Sequence, residues 1–201
     1  MGMPLFGLKF ASFALAASLL AACSPTMDYQ GDGPGPIEQT SSVTLIQITN
    51  DSVGGITPET RYSAKAIEAA LPGFTTEGVQ TAVENTTEWA TAVFNSDGFQ
   101  VLQVFKDSDG SVREVHGVTH HLAGPNGERI GRSFYNLGLN RRDCRVGRSL
   151  WRGMAICKAK NAPNVKLVLA IPGYDGPFDQ LPPDIALQDS LLQRILWQPK
   201  G

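Results

Sequence analysis

WATAVF (89–94), NSDG (95–98), FQVLQVF (99–105), KDSDG (106–110) and SVREVHGVT (111–119) run without a break, and their reading decides the fold. Three runs rich in Val, Phe and Thr are separated by two short Asx/Ser segments that end in glycine. Such segments close tight turns, and runs of this composition between them read as strands. Three strands in succession, each joined to the next by a tight turn, give an antiparallel meander.

The same reading extends in both directions. Upstream, Val43 to Ile48 alternates with β-branched residues and ends at Asn50-Asp51, a first strand, and Gly78 to Glu84 is a further one. Between them Thr60 is placed to N-cap RYSAKAIEAAL, whose Ala64, Ile67, Ala70 and Leu71 share one helical face, with Pro72-Gly73 as the stop. Downstream, Gly124-Pro125-Asn126-Gly127 breaks the meander. Arg132 to Leu139 is expected as a short helix with Phe134 and Leu137 inward. Strands follow at Gly153 to Cys157 and Val165 to Ile171, then a Pro/Gly loop from Pro172 to Pro183, a helical turn at Asp184 to Gln188 and a last strand at Leu191 to Trp197. The expected class is α+β: one domain, a mostly meander antiparallel sheet and two or three short helices. Strand order stays open, because sequential strands pair in only about two-thirds of cases.

The N-terminus is a separate matter. Residues 1–22 carry one charge, Lys9, ahead of an apolar run from Phe10 to Ala22. That run falls short of the about 20 residues a membrane span needs and has the form of a secretory leader, which is removed. Leu20-Ala21-Ala22-Cys23 is similar to the lipobox of bacterial lipoproteins. By that likeness Cys23 is the first mature residue and is acylated, and buried methylenes at about 0.8 kcal/mol each anchor the chain. The plainer alternative is a secreted protein cut near Ala17. Ser24 stands where lipoproteins kept in the inner membrane often carry Asp, so the likeness points to the periplasmic face of the outer membrane of a Gram-negative bacterium. Residues 23–42 are rich in Gly, Pro and Ser and read as a flexible tether, leaving 43–201 as a single periplasmic domain.

The mature chain has 201 less 22, or 179, residues; 17 basic residues less Lys9 stand against 19 acidic, net −3. A mildly acidic protein is not a general nucleic-acid binder. Of three cysteines, the lipid takes Cys23, and the even remainder, Cys144 and Cys157, is the arithmetic of a disulfide in an oxidising compartment. The alternative, a redox or metal pair, lacks CxxC spacing.

RIGRSF (129–134), Asp143-Cys144, Cys157-Lys158-Ala159 and LPPDIALQDSLLQRILW (181–197) resemble the envelope-stress (sigma-E) regulated outer-membrane lipoproteins of unknown function, the YfeY-like lipoproteins; AIEAAL (66–71) and SVREV (111–115) agree more loosely. The resemblance implies a lipid-anchored periplasmic α+β domain with Cys144 and Cys157 at the family's positions, and it implies no activity. The chain departs from the pattern at His120-His121, where acidic residues are usual, and in an arginine-rich stretch around Cys144.

Four constellations bear on chemistry. His116, His120 and His121 would ligate zinc on a helix, but Gly117 and the β-branched pair after it favour a strand, where residues four apart lie about 13 Å apart and adjacent ones face opposite sides. Asp107-Ser108-Asp109-Gly110 with Glu114 resembles a calcium loop yet is shorter than an EF-hand, and a hairpin turn needs the same residues. Gly131-Arg132-Ser133 and Gly147-Arg148-Ser149 approach GxSxG without completing it. Finally, Arg129, Arg132, Arg141, Arg142, Arg145, Arg148 and Arg152 stand against only Glu128 and Asp143. Arginine's planar fork suits phosphate and carboxylate. Arg141, Arg142, Arg145, Arg148 and Arg152 are therefore the expected surface for anionic lipid, lipopolysaccharide or peptidoglycan, the alternative being a solvated rim of paired charges.

No cofactor, metal or catalytic residue is expected. The first functional expectation is a non-catalytic binding or envelope-maintenance module. The second is a periplasmic inhibitor of an envelope-attacking enzyme such as a lysozyme, its mark a protruding 172–178 loop that enters a cleft, the alternative for that loop being a Gly/Pro crossover with Tyr174 and Phe178 tucked into the core; another envelope protein is the other expected partner. The third is a hydrolase.

Overall fold

The computed structural model describes Gly2 and residues 46–199; the leader, Cys23, the tether and Val43 to Leu45 lie outside the described residues. Residues 46–199 fall in one compact unit. In chain order the elements are β1 (Ile46–Gln47), α1 (Ala64–Ala70), β2 (Thr75–Ala82), β3 (Thr87–Phe94), β4 (Gln100–Lys106), β5 (Val112–Gly117), β6 (Leu122–Ala123), β7 (Cys144–Val146), β8 (Ala155–Ala159), β9 (Ala162–Ala170), α2 (Asp184–Gln188) and β10 (Leu191–Trp197), with short 3-10 turns at Arg141–Asp143 and Ser149–Trp151. Among the described residues no helix is long and apolar enough to cross a membrane.

The expected α+β architecture is present. Eight strands form one antiparallel sheet in the order β2-β3-β4-β5-β10-β9-β8-β7, and β1 pairs with β6 in parallel. The sheet is two four-stranded meanders, 2-3-4-5 and 7-8-9-10, joined where β10 lies against β5 through Ile195↔Gly117 and Trp197↔Val115. The turns form as their sequences dictate: Asn95 accepts from the N–H groups of Asp97 and Phe99, while Gly98 and Gly110 take the left-handed conformation that a side chain would resist.

One face of the sheet carries the main core. Val104, Val115, Ile195, Trp197, Leu167 and Leu169 pack beneath Ile48, Ile56, Ile67 and Leu122. Burying an aliphatic side chain of this kind stabilises by about 1.5–3 kcal/mol. Gly117 suits this close approach, since a Cβ there would meet Leu122 Cδ2 at 2.6 Å and Ile48 Cδ1 at 3.0 Å.

Three expectations need correction. Ser63, not Thr60, caps α1, accepting from Ala66 N–H at 3.2 Å; the Thr60 hydroxyl accepts instead from Thr57 N–H. Residues 132–139 form turns rather than a helix, because backbone donors at their start are committed elsewhere: Phe134 N–H to Ser190 and Tyr135 N–H to Gln188. Phe134 and Leu137 still face the core. The second strand begins at Thr75 and ends at Ala82, three residues ahead of the expected start.

Candidate functional site

The opposite face of the sheet holds the polar chemistry. Two bulges put it there. The register slips between Phe105 and Lys106 on β4, so that Val112 and Val115 of β5 both face the core while Arg113 and Glu114 both lie on the opposite face. A second slip between Leu192 and Arg194 does the same for Arg194.

At the centre lies His116, fully buried and tilted against the rings of Phe105 (centroids 4.5 Å apart) and Trp151 (5.7 Å). Its Nε2 is 3.4 Å from Glu114 Oε1, and among the described residues neither ring nitrogen has a hydrogen-bond partner. Burial pulls the His116 pKa below its usual value, outweighing the Glu114 carboxylate, so the ring is neutral at neutral pH. For Glu114 burial alone would raise the pKa; His116, the Gln198 amide and the Arg113 charge outweigh it and bring it to about 2. Arg113 continues outward to Glu88 at 2.8 Å, and Arg194 donates to Gln103 at 2.8 Å over the Trp151 ring.

Two concavities open on this face. The first, about 260 Å³, has Val83, Trp151, Ile156 and Leu196 as apolar wall and Asn85, Glu88, Arg113, Glu114 and Gln198 as polar wall. The second, about 180 Å³, lies beside the disulfide and is lined by Arg142, Arg145, Lys158 and Lys166 against the one acid Asp143. Arg145, Ile156 and Lys166 line both. Lys158 of β8 stands directly opposite Lys166 of β9, an arrangement that destabilises a sheet unless something negative sits between.

The outer wall is clasped by Glu84, in the turn after β2. It accepts from both Nη groups of Arg145, at 2.5 and 2.7 Å, and from Arg148 N–H at 2.9 Å, while its carbonyl accepts from Leu150 N–H. The hydrogen bond from Arg145 holds the Glu84 pKa below the carboxylate range despite burial.

The arginines expected to form one surface are distributed by these contacts. Arg141 holds the 181–184 segment through the carbonyls of Leu181 and Pro182 and through Asp184 at 3.1 Å. Arg145 is paired with Glu84. Arg142 is exposed at the second concavity, and exposed Arg148 and Arg152 line a neighbouring shallow one with Phe178 and Asp179. Cys144 and Cys157 are joined in a disulfide at opposed positions of β7 and β8.

The other constellations are placed as follows. β5 ends at Gly117, and the turn after it brings the rings of His120 and His121 to 4.1 Å rather than to opposite faces, while His116 is buried beside Phe105 and Trp151. Asp107 and Asp109 accept from Ser108 and Ser111 within their turn. Ser133 accepts from Asn136 N–H, and Ser149 occupies a left-handed turn at φ 46°. In the 172–178 loop Tyr174 donates to the Pro177 carbonyl and meets Phe178 edge-on, while Phe178 lies over Gly153. Lys158 and Lys166 escaped the sequence reading. A simple two-residue turn would set Lys158 against Pro163, and only the slip between Lys158 and Ala159 brings it to Lys166.

Comparison with known proteins agrees with this architecture. The crystal structure of the uncharacterized protein yfeY from Escherichia coli superposes with a TM-score of 0.60 at 18% identity, covering 76% of this chain and 99% of that one. At that identity the likeness shows the fold. No curated protein sequence matches the chain. The model of one family, described as a protein of unknown function (DUF1131), matches residues 35–199. The chain therefore belongs to the DUF1131 family, whose fold is that of the YfeY-like proteins and whose function is unknown.

Proposed function

We propose that this protein is a non-catalytic lipoprotein, tethered through Cys23 to the periplasmic face of the outer membrane, that binds anionic envelope material in the basic concavity beside its disulfide. The observation that carries the reading is the Lys158–Lys166 pair, flanked by Arg142 and Arg145. Facing lysines repel, and an anion between them turns that cost into charge-assisted hydrogen bonds. The lipobox supports the anchor, and the Cys144–Cys157 disulfide suits an oxidising compartment. Phosphate or carboxylate groups of lipid, lipopolysaccharide or peptidoglycan have the matching chemistry.

The test is retention of the full chain, in uncharged detergent, on immobilised heparin as a polyanion. Retention that falls with salt, and that Arg142→Glu with Lys158→Glu weakens much more than Lys65→Glu with Lys106→Glu, is the expected result. Equal weakening by both pairs means general charge attraction and contradicts the reading.

A further inference from the structure

The two concavities differ in chemistry yet share Arg145, Ile156 and Lys166 as common wall. The basic one offers four cations and one acid. In the larger one the charges balance, three basic against three acidic side chains, and the amides of Asn85 and Gln198 add donors and acceptors above the apolar wall of Trp151 and Leu196. A bare anion has no use for that second compartment. An acyl chain would lay hydrocarbon against the Arg113–Glu88 pair and Glu114, at the cost of desolvating those charges. A ring that presents hydroxyls at its rim and C–H groups on its faces satisfies both walls at once.

From this we infer that the groove takes an anionic sugar: its phosphate or carboxylate sits among Arg142, Lys158 and Lys166, and its ring occupies the compartment between Asn85, Glu88 and Trp151. This rests on the anion-binding reading above and names the ligand class. Arg145 does not supply the anion site alone, because Glu84 already occupies both of its Nη groups; it forms the partition, and Lys166 spans the two sides, donating to Gln198 at 2.6 Å.

The experiment is isothermal titration of the full chain in uncharged detergent with three probes: inorganic phosphate, glucose 6-phosphate and glucose. Glucose 6-phosphate is expected to bind about tenfold more tightly than phosphate, the worth of one or two added hydrogen bonds. Asn85→Ala with Glu88→Gln, at the partly exposed hairpin end, should remove that increment and leave phosphate binding unchanged, whereas Lys158→Glu should abolish binding of both anions. Equal affinity for phosphate and glucose 6-phosphate overturns the sugar site while sparing the anion site. Absence of binding by either anion overturns both.

Discussion

Lys158 and Lys166 face each other across β8 and β9, on the side of the sheet that also bears Arg145 and buried Glu114. A like-charged pair in direct opposition costs stability by about 0.2–1 kcal/mol relative to neutral neighbours. Lys158→Ala should therefore raise the urea midpoint slightly while weakening heparin retention. A variant that loses stability along with retention would show that Lys158 serves the fold.

The Glu84 clasp ties the β2–β3 hairpin to the edge of β7. Glu84→Gln removes the charge from a bidentate, partly exposed pair worth about 1 kcal/mol. Hydrogen exchange should quicken at the amides of Arg148 and Leu150, which donate to Glu84, and stay unchanged in α2.

Acid should destabilise the domain in two stages. His116 has its pKa lowered by burial, so below its ordinary 6.5 the unfolded chain takes up the proton that the native state refuses, and stability falls as pH falls. Glu114, held at about 2 against an ordinary 4.5, contributes stability that is complete above 4.5 and lost as pH drops toward 2. His116→Phe, which keeps a ring between Phe105 and Trp151, should flatten the melting temperature between about pH 6.5 and 5 and, because His116 is first among the groups that hold Glu114 low, move the lower stage to higher pH. Parallel profiles for the two proteins would remove His116 as the cause.

Reduction of the Cys144–Cys157 bond loosens β7, a three-residue strand at the sheet edge beside β8. For a separation of 13 residues the chain-entropy model assigns about 3 kcal/mol. A domain of this size should melt about 6–12 °C lower with reductant. Cys144→Ser with Cys157→Ser should match the reduced protein.

Much of the fold was legible because its signals are local. Alternation marks β4, the Asn95 and Asp107 turns close the meander, and the expected limits of α2 and β10 coincide with those observed. Residues 132–139 misled because their amphipathic spacing suits a helix, while the acceptors of the Phe134 and Tyr135 N–H groups, Ser190 and Gln188, lie over fifty residues away. The site was less legible still. Glu114 and His116 are visible as an i, i+2 pair on one strand face, but Gln198 reaches Glu114 only because β10 inserts between β5 and β9. Bulges at Arg113 and after Lys158 rotate side chains in a way that composition does not encode. The arginine cluster was visible as charge, whereas its division between the Glu84 clasp, the Asp184 contact and the open basic concavity depends on tertiary partners.

The central claim is that the concavity between Lys158, Lys166 and Arg142 is an anion site, and the most direct test is an amide chemical-shift titration of the ¹⁵N-labelled full chain in uncharged detergent with inorganic pyrophosphate. Saturable shifts confined to Arg142–Arg145, Lys158 and Lys166, diminished by salt, are the predicted result. Shifts spread evenly over exposed arginines such as Arg61, Arg132 and Arg152, or no saturable shift at all, would contradict it.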